Sequence, residues 1–349
     1  MAAAEVDVLI RGAGPVGCAL ALALRGGALR VALYDPALSL PAFRPLALSY
    51  ATRLIFERLG VWSAIAATPI ERILVTQAGS FGRARIEAGD AGVPALGYVA
   101  EYADVVAALR KEASGLMVGT EPPARCVVHA EGASEDVRGK RYAQDALVAL
   151  VQTQPRAGST AFERFTPEGP LALLPHAGRY ALVWSMHPER AAVIAAASDA
   201  EFLSELASVA GPALGMPVAV QWRSRQELSL KVRAARVQAD QVYIGNAAQS
   251  LHPVAGQGLN LGLRDAWDLA TSLRKGPSDL PGALARFAAR RRLDATATIR
   301  VTDFLAAGFA GSNPLLRAAR GVALTALDVF PAPRRFFARR MIFGASALP

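Results

Sequence analysis

The first thirty-five residues constrain the fold more than any other part of the chain. Val6 to Ile10 is a mostly apolar run suited to a buried strand, and Gly12, Gly14 and Gly17 follow at once in the spacing G-x-G-x-x-G. A helix of small and apolar residues, Cys18 to Leu24, comes next. Gly26-Gly27, a second strand from Arg30 to Tyr34, and Asp35 at its end complete the unit. Three glycines at this spacing permit a tight turn, close approach of backbone to a pyrophosphate, and close packing of helix on strand. An acidic residue at the end of the second strand is placed to accept hydrogen bonds from ribose hydroxyls. In this order the elements make a dinucleotide-binding βαβ unit, and the spacing leaves NAD and FAD both open.

Residues 242–270, VYIGNAAQSLHPVAGQGLNLGLRDAWDLA, run through a second strand, turn and helix. Val242 to Ile244 suits a buried strand, and Gly245, Asn246, Ala247 and Ala248 a turn. His252-Pro253 breaks the chain before Gly256-Gln257-Gly258. From Leu259 the pattern is helical, with Leu259, Leu263, Ala266 and Ala270 on one face. Arg264, Asp265 and Asp268 fall largely on another. The free N–H groups of the first turn, near Leu259-Asn260, favour a ligand with an electron-rich edge. An ordinary strand-to-helix connection needs one glycine, not three beside a proline.

This segment resembles the flavin-dependent aromatic hydroxylases of the ubiquinone-pathway type, in the larger group that includes para-hydroxybenzoate hydroxylase. There a Gly-Asp-Ala-Ala-His…Pro…Gly-Gln-Gly-Asn segment binds the FAD ribityl chain and packs beside the flavin ring. The match is close from Pro253 to Asp265 and departs at Asn246, where the family has Asp, and at Gln249, where it usually has His. Residues 44–49, Arg-Pro-Leu-Ala-Leu-Ser, match an Arg-x-x-Ala-Leu-Ser motif whose arginine closes over the flavin, a role that falls to Arg44. Tyr50, Leu54, Phe56 and Leu59 suit the buried face of the helix that follows. Other departures are Asp35 for the commoner Glu, and Ala103 where the family has a phosphate-contacting arginine. Glu131-Gly132 stands for Asp-Gly, and a β-meander between 114 and 142 is missing.

The resemblance implies an α/β fold: a Rossmann-like FAD-binding domain (1–142 with 225–285) interleaved with a mixed β-sheet substrate domain (143–224), then C-terminal helices (286–349). Strands are expected at 146–154, 160–166, 171–175, 180–187 and 218–222, with a helix from about Ser198 to Ala210 between the last two. Leu173, Leu174, Pro175 and Trp184 are expected at the substrate cavity or in the sheet core. His176 and His187 lack metal-ligand spacing and read as surface or loop residues. A long amphipathic helix is expected from Leu284 and two more after it, separated by Pro331 and Pro333.

The implied cofactor set is FAD, with NAD(P)H as transient reductant. The implied reaction is hydroxylation of a polyprenyl phenol through a C4a-hydroperoxyflavin, the flavin carrying the chemistry. Gly12, Gly14, Gly17, Asp35, Arg44, Gly245, Asn246, Pro253, Gly256, Gln257, Gly258, Leu259 and Asn260 are the expected cofactor contacts, with Pro253 also facing substrate. A second reading, prompted by the departures, is a degenerate relative that binds little or no flavin and serves as a scaffold or lipid-binding accessory protein.

Composition narrows the partners. Thirty-eight Lys and Arg against 29 Asp and Glu give a formal charge of +9. Without a nucleic-acid-binding signature, that balance points to an anionic membrane surface or anionic cofactor rather than nucleic acid. In 334–343, arginines alternate with Phe336, Phe337, Met341, Ile342 and Phe343, a pattern that suits either an anionic bilayer or docking on the protein's own body. Assembly with other ubiquinone-pathway proteins is a further implied partnership. Cys18 and Cys126 form neither a disulfide framework nor a metal cluster, which suits a reducing compartment. No uncharged run reaches the length of a bilayer span and no signal-peptide pattern begins the chain. The expected location is cytoplasmic, peripheral on the inner face of the membrane.

Overall fold

A computed structural model describes residues 6–36, 43–132, 138–251, 256–308 and 314–344. The chain opens with β1 (Val6–Arg11), α1 (Pro15–Leu24) and β2 (Val31–Tyr34), as the glycine spacing predicts. Next come β3 (Pro45–Ser49), α2 (Tyr50–Arg58), β4 (Ala67–Ile70), β5 (Arg72–Gln77), β6 (Arg83–Glu87) and α3 (Ala88–Ala91). Then follow β7 (Gly97–Glu101), α4 (Tyr102–Ala113), β8 (Met117–Val118) and β9 (Ala124–His129). The antiparallel sheet comprises β10 (Arg138–Gln154), β11 (Thr160–Phe165), β12 (Pro170–His176) and β13 (Arg179–Met186), then α5 (Pro188–Ala196), α6 (Asp199–Ala210) and β14 (Met216–Val232). The chain returns through β15 (Val237–Gln238), β16 (Gln241–Tyr243) and β17 (Gln249–Ser250) to α7 (Gln257–Lys275). It closes with α8 (Leu280–Gly308), α9 (Pro314–Val329) and α10 (Pro331–Phe343).

Among the described residues the strands form three sheets. One has the order β15-β16-β9-β1-β2-β8, with β16, β9, β1, β2 and β8 parallel, the doubly wound arrangement of a nucleotide-binding body. Five residues, 119–123, join β8 to β9 where the resemblance implies a meander. A small sheet, β3-β7-β4, lies beside this body. The third sheet, β17-β14-β10-β13-β12-β11-β5-β6, is antiparallel except where β11 meets β5. Residues 142 and 224 lie inside its two seventeen-residue strands, β10 and β14, and residues 72–87 supply its far edge.

The large sheet has two unlike faces. Leu173, Trp184, Tyr180 and Leu182 pack under α5 and α6, whose Ile194, Phe202 and Leu206 are buried against them. α6 begins at Ser198, as predicted, and Glu201 completes a capping box there, whereas α5 is an element the strand pattern does not show. Of the four residues expected near the cavity, only Leu174 lines it. Leu173 and Trp184 lie on the opposite face because successive strand residues alternate. On α2 the buried residues are Ala51, Thr52, Ile55 and Phe56, while Tyr50 and Leu54 are half-buried.

One further expectation is corrected. His176 is buried, its Nε2 3.3 Å from a Glu101 carboxylate oxygen, not a surface residue; His187 is exposed where α5 begins. On the polar face of α7, Arg264, Asp265 and Asp268 are all buried against α8. Arg291 of α8 bonds Asp265 at 2.7 Å, Asp268 at 3.0 Å and Asp294 at 2.8 Å, and Arg264 bonds Asp294 at 3.0 Å. The charges are paired with one another, which offsets part of the cost of their burial. Arg264 Nη1 and Nη2 and Arg291 Nη2 are nonetheless buried without hydrogen-bond partners among the described residues.

Candidate active site

The N-termini of α1 and α7 converge on one cavity of about 1020 Å³. Glycines allow the approach. A methyl group added at Gly262 of α7 would lie 2.9 Å from Val16 of α1 and 3.0 Å from the Gly245 Cα, so no larger residue fits between the helices. Neither helix has a side-chain N-cap: Gly14 precedes α1 and Gly256, at φ +58°, precedes α7. No cap side chain takes up the N–H groups of either first turn, which leaves two positive helix ends facing the cavity.

Eleven of the thirteen expected cofactor residues line this cavity: Gly12, Gly14, Asp35, Arg44, Gly245, Asn246, Gly256, Gln257, Gly258, Leu259 and Asn260. Gly17 stands behind it, where a methyl group would lie 1.9 Å from the Gly12 carbonyl oxygen, so its task is helix–turn packing. Pro253 lies outside the described residues.

Local bonds assign different tasks to these groups. Asp35 accepts the Ala13 N–H at 2.9 Å and lies 3.7 Å from Arg110 of α4, so it holds the glycine turn as well as bordering the cavity. Arg44 is exposed at the rim with its guanidinium 5.0 Å over the Tyr102 ring. Asn260 is buried and its amide is engaged by protein. Its oxygen accepts from the Ser49 N–H at 2.8 Å and Thr52 Oγ1 at 2.7 Å, and its nitrogen donates to the carbonyls of Ala47 and Gly256 at 2.8 and 2.7 Å. It clamps α7 to β3 and α2. Asn246 is exposed to the cavity, and no described residue bonds its side chain.

Asp265 governs the turn that carries Asn246. It accepts the Gly245 N–H at 3.2 Å, the Gln249 amide at 2.9 Å, Arg236 at 3.0 Å and Arg291 at 2.7 Å. Burial opposes its charge, but Arg236, Arg291 and Gln249 hold the carboxyl below the usual carboxylate range. Gln249 thus has a structural task of its own. Tyr102 at the start of α4 and the α9 residues Leu316, Ala323 and Leu327 also line the cavity, and the sequence reading does not single them out. Glu131-Gly132 borders it too, at the end of β9.

The donor set fits a dinucleotide bearing a flat ring. Two uncapped helix ends suit phosphate and ring carbonyl oxygens. Gly258 leaves open space, since a methyl group there would meet nothing within 4 Å, and the remaining wall is largely apolar.

Comparison with known proteins agrees. A family model described as an FAD binding domain matches residues 62–300. The ubiquinone hydroxylase UbiL of Rhodospirillum rubrum is 31% identical over 380 aligned positions, covering 95% of this chain and 88% of that protein. The chain belongs to this family of flavin-dependent hydroxylases. The 3-demethoxyubiquinol 3-hydroxylase of Escherichia coli is 29% identical, covering 92% of this chain and 94% of that one. The fold is shared with p-nitrophenol 4-monooxygenase PnpA of Pseudomonas putida, at a TM-score of 0.76 and 18% identity over 99% of this chain and 100% of that one. It is also shared with the Klebsiella pneumoniae HpxO variant complexed with FAD, at 0.78 and 14% over 97% and 98%. FAD is the cofactor of this flavoprotein and its activity is that of a monooxygenase. Among the described residues no helix is long and apolar enough to cross a membrane.

Proposed function

We propose that this flavoprotein hydroxylates the aromatic ring of a lipid-tailed phenol, a polyprenyl phenol of ubiquinone assembly, with NAD(P)H as the reductant. The observation that carries the reading is the continuity of the cavity. One cavity takes in the two glycine turns, Leu48 and Ser49, and the apolar residues Leu316, Leu327 and Ile342. The cavity, about 1020 Å³, holds cofactor and substrate together, and its apolar residues Leu316, Leu327 and Ile342 suit an apolar tail. The names of the relatives in Rhodospirillum rubrum and Escherichia coli support the same substrate class.

In this reading Gly12, Gly14 and Asp35 hold the adenosine and pyrophosphate part of FAD, and Gly245, Asn246 and Arg44 its middle. Gly256, Gln257, Gly258 and Leu259 border the flavin ring, and Pro253 borders the substrate. When bound and reduced by NAD(P)H, FAD would supply the dioxygen chemistry by which one oxygen atom ends on the ring and the other as water. The chain's own residues position and exclude water: α7 directs backbone N–H groups at the ring's carbonyl edge, and the sheet wall keeps the reacting face dry. The cofactor body is 1–142 with 225–285, the substrate domain 143–224 and the helical region 286–349.

The exposed residues of α9 and α10 support a peripheral location at the membrane, taken here as its inner face. Ala338 and Ile342 dock α10 on the protein's own body, and Arg334 bonds Asp90 at 2.9 Å. Leu315, Val322, Val329, Phe330 and Phe336 remain exposed, beside the exposed Arg335 and Arg339. Apolar anchors with basic neighbours suit an anionic bilayer, where such a substrate and other ubiquinone-pathway proteins reside.

The test is the visible spectrum of the purified protein, followed by FAD titration of the apoprotein and NAD(P)H oxidation with an added alkylphenol. Bound flavin, phenol-stimulated oxidation and an ¹⁸O-labelled hydroxylated product are expected. A protein that takes up no FAD, or consumes NAD(P)H without hydroxylated product, overturns the reading.

A further inference from the structure

A carboxyl group interrupts an apolar row of the sheet that walls the cavity; Glu227 of β14 also borders the cavity but is paired with Arg141 at 2.7 Å. Strand register places Ala84, Val75, Glu163, Ala172, Val183 and Val148 in a single cross-strand row over five neighbouring strand pairs, and all six line the cavity. Five are small or branched apolar residues. Glu163 stands among them on β11, half-buried and lining the cavity. Its Oε1 is buried without a hydrogen-bond partner. Burial alone acts on its ionisation, pushing its pKa up to about 7, and no described charge offsets it. The adjacent Arg164 points to the sheet's other face, where it reaches Thr76 at 3.4 Å. Arg320 of α9 borders the same cavity, with its Nε donating to the Leu316 carbonyl at 3.1 Å.

An unpartnered carboxyl in an apolar wall is costly, and any apolar residue would complete the row without that cost. Its partner is then expected from outside the chain, as a hydrogen-bond donor within an otherwise apolar ligand. We propose that Glu163 accepts the hydrogen bond of the substrate's phenolic hydroxyl, fixing the ring's rotation and selecting phenols over ring systems that lack the O–H. The inference rests on the phenol reading above and adds to it the residue that recognises the hydroxyl. A site built to bond a hydroxyl rejects the analogue without it more strongly than an apolar pocket rejects an extra methyl group.

The experiment uses the FAD-bound holoenzyme with 2-octylphenol and its methyl ether, read by perturbation of flavin absorption and by NAD(P)H oxidation. The wild-type protein is expected to bind the phenol at least about tenfold more tightly than the ether. Glu163→Leu is expected to erase that preference, raising KM for the phenol about tenfold while FAD content and ether affinity stay unchanged. Glu163→Gln, which keeps an acceptor, is expected to lie between and carries the test if the leucine variant does not fold. Variants that discriminate as the wild type does overturn the role of Glu163 and leave the hydroxylase reading standing. A wild-type holoenzyme that responds to neither phenol nor ether overturns the phenol reading itself, and this inference with it.

Discussion

The carboxylate of Asp265 on α7 accepts the backbone N–H of Gly245 at 3.2 Å, tying the helix that faces the ring end of the cavity to the turn that carries Asn246. The same carboxylate is bonded to Arg236 and Arg291, so the turn's position depends on a buried charge network. Asp265→Asn removes the negative partner and leaves two guanidinium groups short of charge. Breaking one partner of a buried pair costs about 3–5 kcal/mol. Denaturant unfolding is expected to show a loss of that size, and FAD titration a weaker affinity. A variant with wild-type stability and FAD affinity would show that the network does not hold the turn.

Gly256 and Gly258 sit two residues apart with opposite constraints. Gly256 has φ +58°, and a methyl group there would lie 2.7 Å from the Ala47 Cβ. Gly256→Ala is expected to destabilise the protein by about 1–2 kcal/mol, the left-handed backbone cost, and more if Ala47 cannot yield. Gly258 is inside α7 with open space around it, so Gly258→Ala should raise the melting temperature through about 0.5–1 kcal/mol of helix propensity. Its FAD affinity should nonetheless fall, because the added methyl projects where the cofactor approaches. Calorimetry and FAD titration on the pair separate the two effects.

What the sequence reveals depends on how local the cause is. The glycine spacing at 12–17 and the strand after it specify a βαβ unit, because turn and packing demands act within a few residues. The Ser198 cap was legible for the same reason. The burial of Asp265 was not, since a polar residue on a helix face reads as solvated until its partner is known, and Arg291 lies 26 residues further on another helix. Alternation along β12 shows that Leu173 and Leu174 face opposite ways, but not which face α5 and α6 will cover. Residues 72–87 joined the large sheet through β5 pairing with β11, a contact between segments about 88 residues apart that no local pattern records. Glu163 went unnoticed because its significance lies in its five apolar row-mates, which come from other strands.

Asn246 is exposed to the cavity where the family has a carboxylate. An Asn keeps one acceptor but loses the charge-assisted bond to a ribityl hydroxyl, worth about 1–2 kcal/mol. Asn246→Asp is therefore expected to tighten FAD binding by about tenfold, measured as the dissociation constant of the apoprotein for FAD. The fold should be indifferent, because no described residue bonds this side chain. Unchanged or weaker binding would place the ribityl contact on another residue.

Glu163 gives stability a pH dependence of defined sign. Its pKa in the folded protein, about 7, lies above the ordinary value of 4.5, because burial disfavours the charged form. Below about pH 4.5 the group is neutral in both folded and unfolded chains and has no differential effect. Between 4.5 and 7 the unfolded chain binds fewer protons than the folded one, so the carboxyl's contribution to stability falls as pH rises, and it levels off above about 7. Glu163→Leu removes that slope. Its melting temperature is expected to exceed the wild type's by an amount that grows from pH 4.5 to about 7.5, in the absence of phenol. Melting curves of both proteins at half-unit pH intervals measure the difference. A constant gap across that range would mean the carboxyl is already partnered in the folded protein, and would remove the reason for assigning it to the substrate's hydroxyl.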